Sequence, residues 1–195
     1  MRAVYWRFIN WLSLVGSGIL GMLRDTGFTL ILLLETLYYL KNGFTKWREI
    51  IKQMYIAGVK SLIVCSVVAL FTGMILALQA GIEFAVYQQQ AMIGNLVIAS
   101  MTREMGPFMT AIVLTASVGS AMAAEIGTMK VSEEIDALEM MSISPVKFLV
   151  MPRVVALSII LPVMTVYTNA LGTLGGAVVA KYQLLVPYDI YYAHV

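Results

Sequence analysis

Between Lys60 and Arg103 the chain carries one charged residue, Glu83, and between Arg153 and Lys181 it carries none. Apolar blocks of about 20 residues are what a helix needs to cross the ~30 Å hydrocarbon core of a bilayer. The pattern predicts an all-α, polytopic membrane protein with spans over 56–80, 91–124 and 150–180. At about 1.5 Å per residue the second span is longer than the core is thick, so it is expected to tilt or kink. Gly106-Pro107 supplies the kink, because proline has no amide proton to donate and crowds the preceding turn. Pro162 is expected to interrupt the third span. Between the second and third spans lies an insert, 125–149, that gathers Glu125, Lys130, Glu133, Glu134, Asp136, Glu139 and Lys147. That density of charge is incompatible with lipid, so the insert belongs to a wet side of the membrane.

Residues 1–45 are apolar but broken. A Gly-Ser patch at Gly16–Gly21 and the Arg24-Asp25 pair divide them, and the short run Phe28–Leu40 contains Glu35. Apolar runs of ~10–14 residues are more often interfacial than spanning, and Trp6, Trp11, Tyr38 and Tyr39 favour the headgroup level. The segment reads as one or two helices lying in the membrane surface, with a helical hairpin as the competing reading. At the other end, 181–195 reads as a mostly polar tail.

Orientation follows from Lys and Arg. Lys41, Lys46, Arg48 and Lys52 precede the first span, and such basic clusters mark the cytoplasmic flank. Two crossings later the insert falls on the same side, whereas the loop Glu83–Gln90 has neither Lys nor Arg. The insert is therefore expected to be cytoplasmic and the loop external.

Charged residues make up 12% of the chain, against about 25% in soluble domains. The net charge of +2 and the lack of any basic run argue against nucleic acid as a partner. Cys65 sits within an apolar span with no second cysteine to pair with, and His194 is the only histidine. The chain contains no P-loop, HExxH, paired-cysteine or GxSxG pattern. No catalytic residue, metal site or cofactor is expected within it.

Two constellations stand out. On a helix over 128–143, Val131, Ile135, Leu138 and Met141 share one side, and Ser132, Glu133, Asp136 and Glu139 face the other. Ser142, Ser144 and Pro145 end it. An acidic face suits an anionic inner leaflet poorly, so a docking helix for a protein partner is favoured over an ordinary solvated loop. The second constellation is Arg103-Glu104, within the second span, for which a wet or headgroup-facing cavity competes with a place at the headgroup boundary. Small residues also recur four apart: Gly73-Ala77-Gly81, Ala116-Ser120-Ala124, Gly119-Ala123-Gly127 and Gly172-Gly176-Ala180. Such faces let helices approach closely in lipid, within one chain or between two copies.

The runs Arg103-Glu104-Met105-Gly106-Pro107, Val118-Gly119-Ser120-Ala121, Ala124 to Lys130, Glu133 to Met141 and Pro145 resemble the MlaE/YrbE family, as does Gly73 to Gln79. Those are permease subunits of bacterial ABC systems that move phospholipids between inner and outer membranes. The resemblance covers roughly 50–185 and implies a multi-pass permease of the bacterial inner membrane. It implies a homodimer that binds ATPase subunits, which carry the ATP, and meets an Mce-type periplasmic lipid-binding protein. It makes Glu125, Lys130, Glu133, Glu134, Asp136, Leu138, Glu139 and Met141 candidates for ATPase coupling. Leu76, Gln79, Phe84 and Tyr87, with Arg103 and Glu104 deeper, become candidate lipid contacts. Two departures follow: Ser117 stands where the family usually has arginine, and the family continues for about two more helices, so the bundle reads as incomplete. An intramembrane enzyme of lipid metabolism is the rival from another class, and it would need facing carboxylates that this pattern does not supply. A structural membrane scaffold is the third possibility.

Overall fold

A computed structural model describes residues 2–40, 46–87 and 92–192, with side chains of the first helix described from Gly16 onward. The elements in chain order are α1 (Arg2–Leu40), α2 (Trp47–Val86), α3 (Ile93–Val131), α4 (Glu134–Met140), α5 (Val146–Tyr182) and the single turn α6 (Tyr188–Tyr191). No strand occurs among the described residues. Four helices are long and apolar enough to cross a membrane: α2, α3, α5 and the Gly16–Leu40 part of α1.

The first helix differs from the broken pattern of its sequence. Arg24-Asp25 does not divide it, and α1 is one continuous helix. Thr26 and Thr29 hydroxyls donate to the carbonyls of Met22 and Asp25, so the polar residues are absorbed by the helix's own backbone. Its described side chains are almost all exposed, with Thr36 buried where the helix meets α5. The basic residue Lys41 lies outside the described residues.

The core is the pairing of α2 with α5. In lipid, polarity cannot mark which helix face is buried, because both faces are apolar; size marks it instead. On α2 the buried positions include Ala57, Ser61, Cys65, Ala69, Gly73 and Ala77, while Ile63 and Phe71 are 76% and 60% exposed. A methyl group on Gly73 would overlap the carbonyl oxygen of Gly172, and one on Gly175 would stand 2.6 Å from that of Leu70. The two backbones are in contact. Around that seam, Ser66 and Tyr167 exchange a hydrogen bond of 2.7 Å, and Thr110 of α3 meets Thr168 of α5 at 2.6 Å.

Helix α3 lies against this pair and changes pitch twice, through π turns at Met101–Met105 and Thr115–Gly119. The first immediately precedes Gly106-Pro107, where the chain must route hydrogen bonds around a missing amide proton. Gly106 is required there: its absent side chain leaves the space filled by the Asn169 carboxamide. Pro162, by contrast, does not interrupt α5, which stays helical to Tyr182.

The C-terminal segment is more than a polar tail. Tyr191 of α6 is 1% exposed, inserted among Ile93, Val97 and Ala177, and its hydroxyl donates to the Thr173 carbonyl at 3.3 Å. Burial pushes its phenol pKa up, with a smaller push from Tyr192. A second apolar cluster, Ala57, Cys65, Leu114, Val118 and Met164, fills the half of the bundle nearer α4.

Charge spacing sets the length of the apolar runs. On α2 the charge-free run from Lys60 to Glu83 rises roughly 34 Å, and on α3 the run from Glu104 to Glu125 rises roughly 31 Å. Both match the ~30 Å hydrocarbon core. Lys60 packs level with Ser117 and Val118 of α3, while Glu125 and Arg153 pair about two turns nearer α4. Glu83 and Lys181 lie toward the opposite side, and the π turn carrying Arg103-Glu104 packs level with Ala69–Gly73, midway along the charge-free run of α2.

Candidate functional site

At the α4 end, the charged insert folds as a helical hairpin rather than one amphipathic helix. The left-handed backbone of Glu133 (φ 59°) ends α3 and starts α4. Val131 thus belongs to a different helix from Ile135 and Leu138, and it is 86% exposed instead of sharing their face. Ile135 and Leu138 are half-buried, whereas Glu133, Glu134 and Glu139 face outward together with Met140 and Met141. The hairpin closes at Ser142, also left-handed (φ 59°), where the Ser142 amide donates to Glu139 and the Ile143 amide to Leu138. This is the double bond of a Schellman ending, built here without glycine.

Three of the predicted docking residues, Glu125, Lys130 and Asp136, are occupied within the chain. Lys130 Nζ meets Asp136 Oδ1 at 2.5 Å across the hairpin, both side chains at least half exposed. Arg153 Nη2 meets Glu125 Oε2 at 2.9 Å, with the arginine side chain 6% exposed and the glutamate 51%. That pair joins the last turns of α3 to the start of α5, so it ties together the two strands of chain from which α4 hangs. Arg153 Nε and Nη1 make no hydrogen bond. The acidic character of the insert concealed this partner, because Arg153 sits 28 residues away in the sequence. Beside α4's base, Lys46 Nζ lies 3.9 Å above the Phe148 ring. Burial, with repulsion from Lys147 next, lowers the Lys46 pKa against a smaller opposing pull from Glu49.

At the opposite end the predicted lipid contacts divide. Leu76 and Phe84 are half-buried against the cluster around Tyr191, while Gln79 and Tyr87 are exposed. Arg103 and Glu104 occupy the first π turn and both face outward, and no ion pair joins them among the described residues. The turn packs level with Ala69–Gly73, midway along the charge-free run of α2. Of the small-residue stripes, Gly73-Ala77-Gly81 and Gly172-Gly176-Ala180 are used inside the chain. Ala116, Ser120 and Ala124 are exposed on α3, and Gly127 has nothing within 4 Å.

Four apolar helices with a charged hairpin on one end describe a helical membrane protein. The chain belongs to the MlaE permease family, which it matches over residues 50–195. It is 38% identical over 75% of its length to a protein of Synechocystis sp. described as a probable ABC transporter permease. It is 33% identical over 88% of its length to the Haemophilus influenzae intermembrane phospholipid transport system permease protein MlaE. The chloroplastic protein trigalactosyldiacylglycerol 1 of Arabidopsis thaliana is 35% identical over 71% of this chain. The matched regions cover 56%, 66% and 40% of those three proteins, so the chain spans about half the length of such relatives.

Proposed function

We propose that this chain is the membrane-spanning part of an ABC transporter that moves phospholipid between the inner and outer membranes of a bacterium. The observation that carries the reading is the family match over residues 50–195, which takes in the charged hairpin as well as three of the apolar helices. The H. influenzae relative's name specifies intermembrane phospholipid transport, and that substrate fits a bundle whose surface is apolar between two charged levels. A separate ATPase subunit supplies the energy by binding ATP and docking on α4 from the cytoplasm. Outward-facing Glu134 and Glu139 offer it charge, and Met140 and Met141 offer adaptable apolar contact. On the other side, Gln79, Tyr87, Arg103 and Glu104 meet lipid, Leu76 and Phe84 back them, and an Mce-type lipid-binding protein receives or delivers it. A second copy packs against the bundle to complete the pathway.

Glu134→Lys with Glu139→Lys tests the docking face, since neither residue forms an ion pair among the described residues. The double variant is expected to insert normally, to lose co-purification with the ATPase subunit and to stop ATP-driven lipid transfer between donor and acceptor vesicles. Retention of the complex with unchanged transfer would overturn the reading.

A further inference from the structure

We propose that the chain holds a second phospholipid site, on the α4 side, in which Lys60 binds the phosphodiester of a lipid from the leaflet at that end. The inference rests on the permease reading and adds to it a place where lipid is held before or after passage.

The site is a cavity of about 320 Å³ between α2 and α3. That is within the ~300–1,000 Å³ range of small-ligand pockets. Its polar lining comes from Gln53, Lys60, Ser61, Ser117 and Glu125, and Ala121 and Met122 contribute to its apolar wall. Polar groups gathered against an apolar wall suit a molecule that is itself divided, with a charged head and an aliphatic body.

The electrostatics select the head. Glu125 lines the cavity, but its charge is engaged by Arg153 at 2.9 Å. Lys60 has no carboxylate within ion-pair distance among the described residues. With Arg153 and Glu125 offsetting each other, Lys60 leaves one positive charge in excess, which equals the single negative charge of a phosphodiester. The Ser117 hydroxyl donates to the Val113 carbonyl at 2.7 Å, so it offers the cavity an acceptor, and the Gln53 carboxamide offers both donor and acceptor. Those groups suit the ammonium or hydroxyls of a headgroup.

Lys60 ends the charge-free run of α2 that rises roughly 34 Å to Glu83. It packs level with Ser117 and Val118, about two turns inside the Glu125–Arg153 pair. Its long apolar stem lets the ammonium reach along the helix surface toward the α4 side, where lipid phosphates lie.

The test places a benzophenone amino acid at Met122, on the cavity wall, and separately at Phe108, which is 59% exposed outside the cavity. The protein is reconstituted in vesicles of phosphatidylethanolamine and phosphatidylglycerol, irradiated, and the crosslinked lipid is measured by mass spectrometry. Lys60→Gln is expected to reduce phospholipid crosslinked at 122 by about tenfold, the effect of losing one charge-assisted hydrogen bond, while the yield at 108 is unchanged. Ala121→Phe, which fills the cavity without removing charge, is expected to do the same. Equal yields at 122 in wild type and both variants would overturn the proposal. Displacement of the lipid by millimolar inorganic phosphate would overturn it too, since the ligand would then be free phosphate. ATP-driven transfer measured on the same preparations separates the two readings. Transfer that persists with no Lys60-dependent crosslink defeats this site alone. A Lys60-dependent crosslink without any transfer in wild type defeats the transport reading and leaves the site.

Discussion

Removing Glu125 should destabilise the bundle more than any other charged substitution in the insert. Its partner Arg153 has a side chain only 6% exposed, and the Nη2–Oε2 bond of 2.9 Å is the guanidinium's one ion pair among the described residues. Glu125→Ala would leave a buried cation with Nε, Nη1 and Nη2 all unsatisfied. Breaking a fully buried pair costs about 3–5 kcal/mol. Because Glu125 is 51% exposed, water screens part of that, and about 2–3 kcal/mol is the expected loss. At roughly 2–4 °C per kcal/mol for a chain of this size, the midpoint of thermal unfolding should fall by about 4–12 °C. The control is Lys130→Ala, which breaks a pair with both side chains at least half exposed and should cost less than about 1 kcal/mol. Replacing both partners, Glu125→Leu with Arg153→Met, should recover most of the loss, because no charge is then left buried. The measurement is tryptophan fluorescence or size-exclusion recovery after heating in detergent. A Glu125→Ala midpoint within about 1 °C of wild type, or a double variant whose losses simply add, would refute the reasoning.

Two other substitutions probe the backbone. Gly73→Leu, which forces a side chain into the Gly172 carbonyl, should separate α2 from α5 and abolish stable expression, whereas Ile63→Leu on the exposed face should express like wild type. Ser142→Gly removes the steric cost of a left-handed residue at the end of α4, so it should raise the unfolding midpoint slightly, by about 1 kcal/mol of stability; a fall would show that the serine side chain contributes a contact of its own.

The spanning helices were legible in the sequence because lipid imposes a length rule that charge-free runs satisfy almost literally. Lys60, Glu83, Glu104 and Glu125 are nearly the whole of that signal. What the pattern could not give was pairing. Helical periodicity placed Val131 beside Ile135, and a left-handed Glu133 separated them, a conformation that no run of apolar residues announces. Arg153 read as the edge of a span and proved to be the buried partner of Glu125. The small-residue stripes named the faces capable of close approach without naming their mates; Gly73 met Gly172, while Ala116, Ser120 and Ala124 stay exposed on α3. Tyr191 was hidden for a similar reason. Its neighbours Asp189 and Tyr192 made the segment look solvated, and its burial needs Ile93 and Val97, nearly 100 positions earlier, together with the end of α5.

The glycine seam also sets a schedule for the newborn chain. Gly73 leaves the ribosome almost a hundred residues before its mate Gly172 is made. At about 5–20 residues per second, α2 spends roughly 5–20 s in the membrane with its narrow face open to lipid. During that interval α3 is the only later spanning helix already complete, and α3 touches it through fewer positions. Slow codons or pauses before Gly172 would lengthen the exposure, and a quality-control protease that reads unpaired small-residue faces would have its best opportunity then. The stability of the finished bundle and the yield of finished bundles are thus governed by the same two glycines, acting at different times.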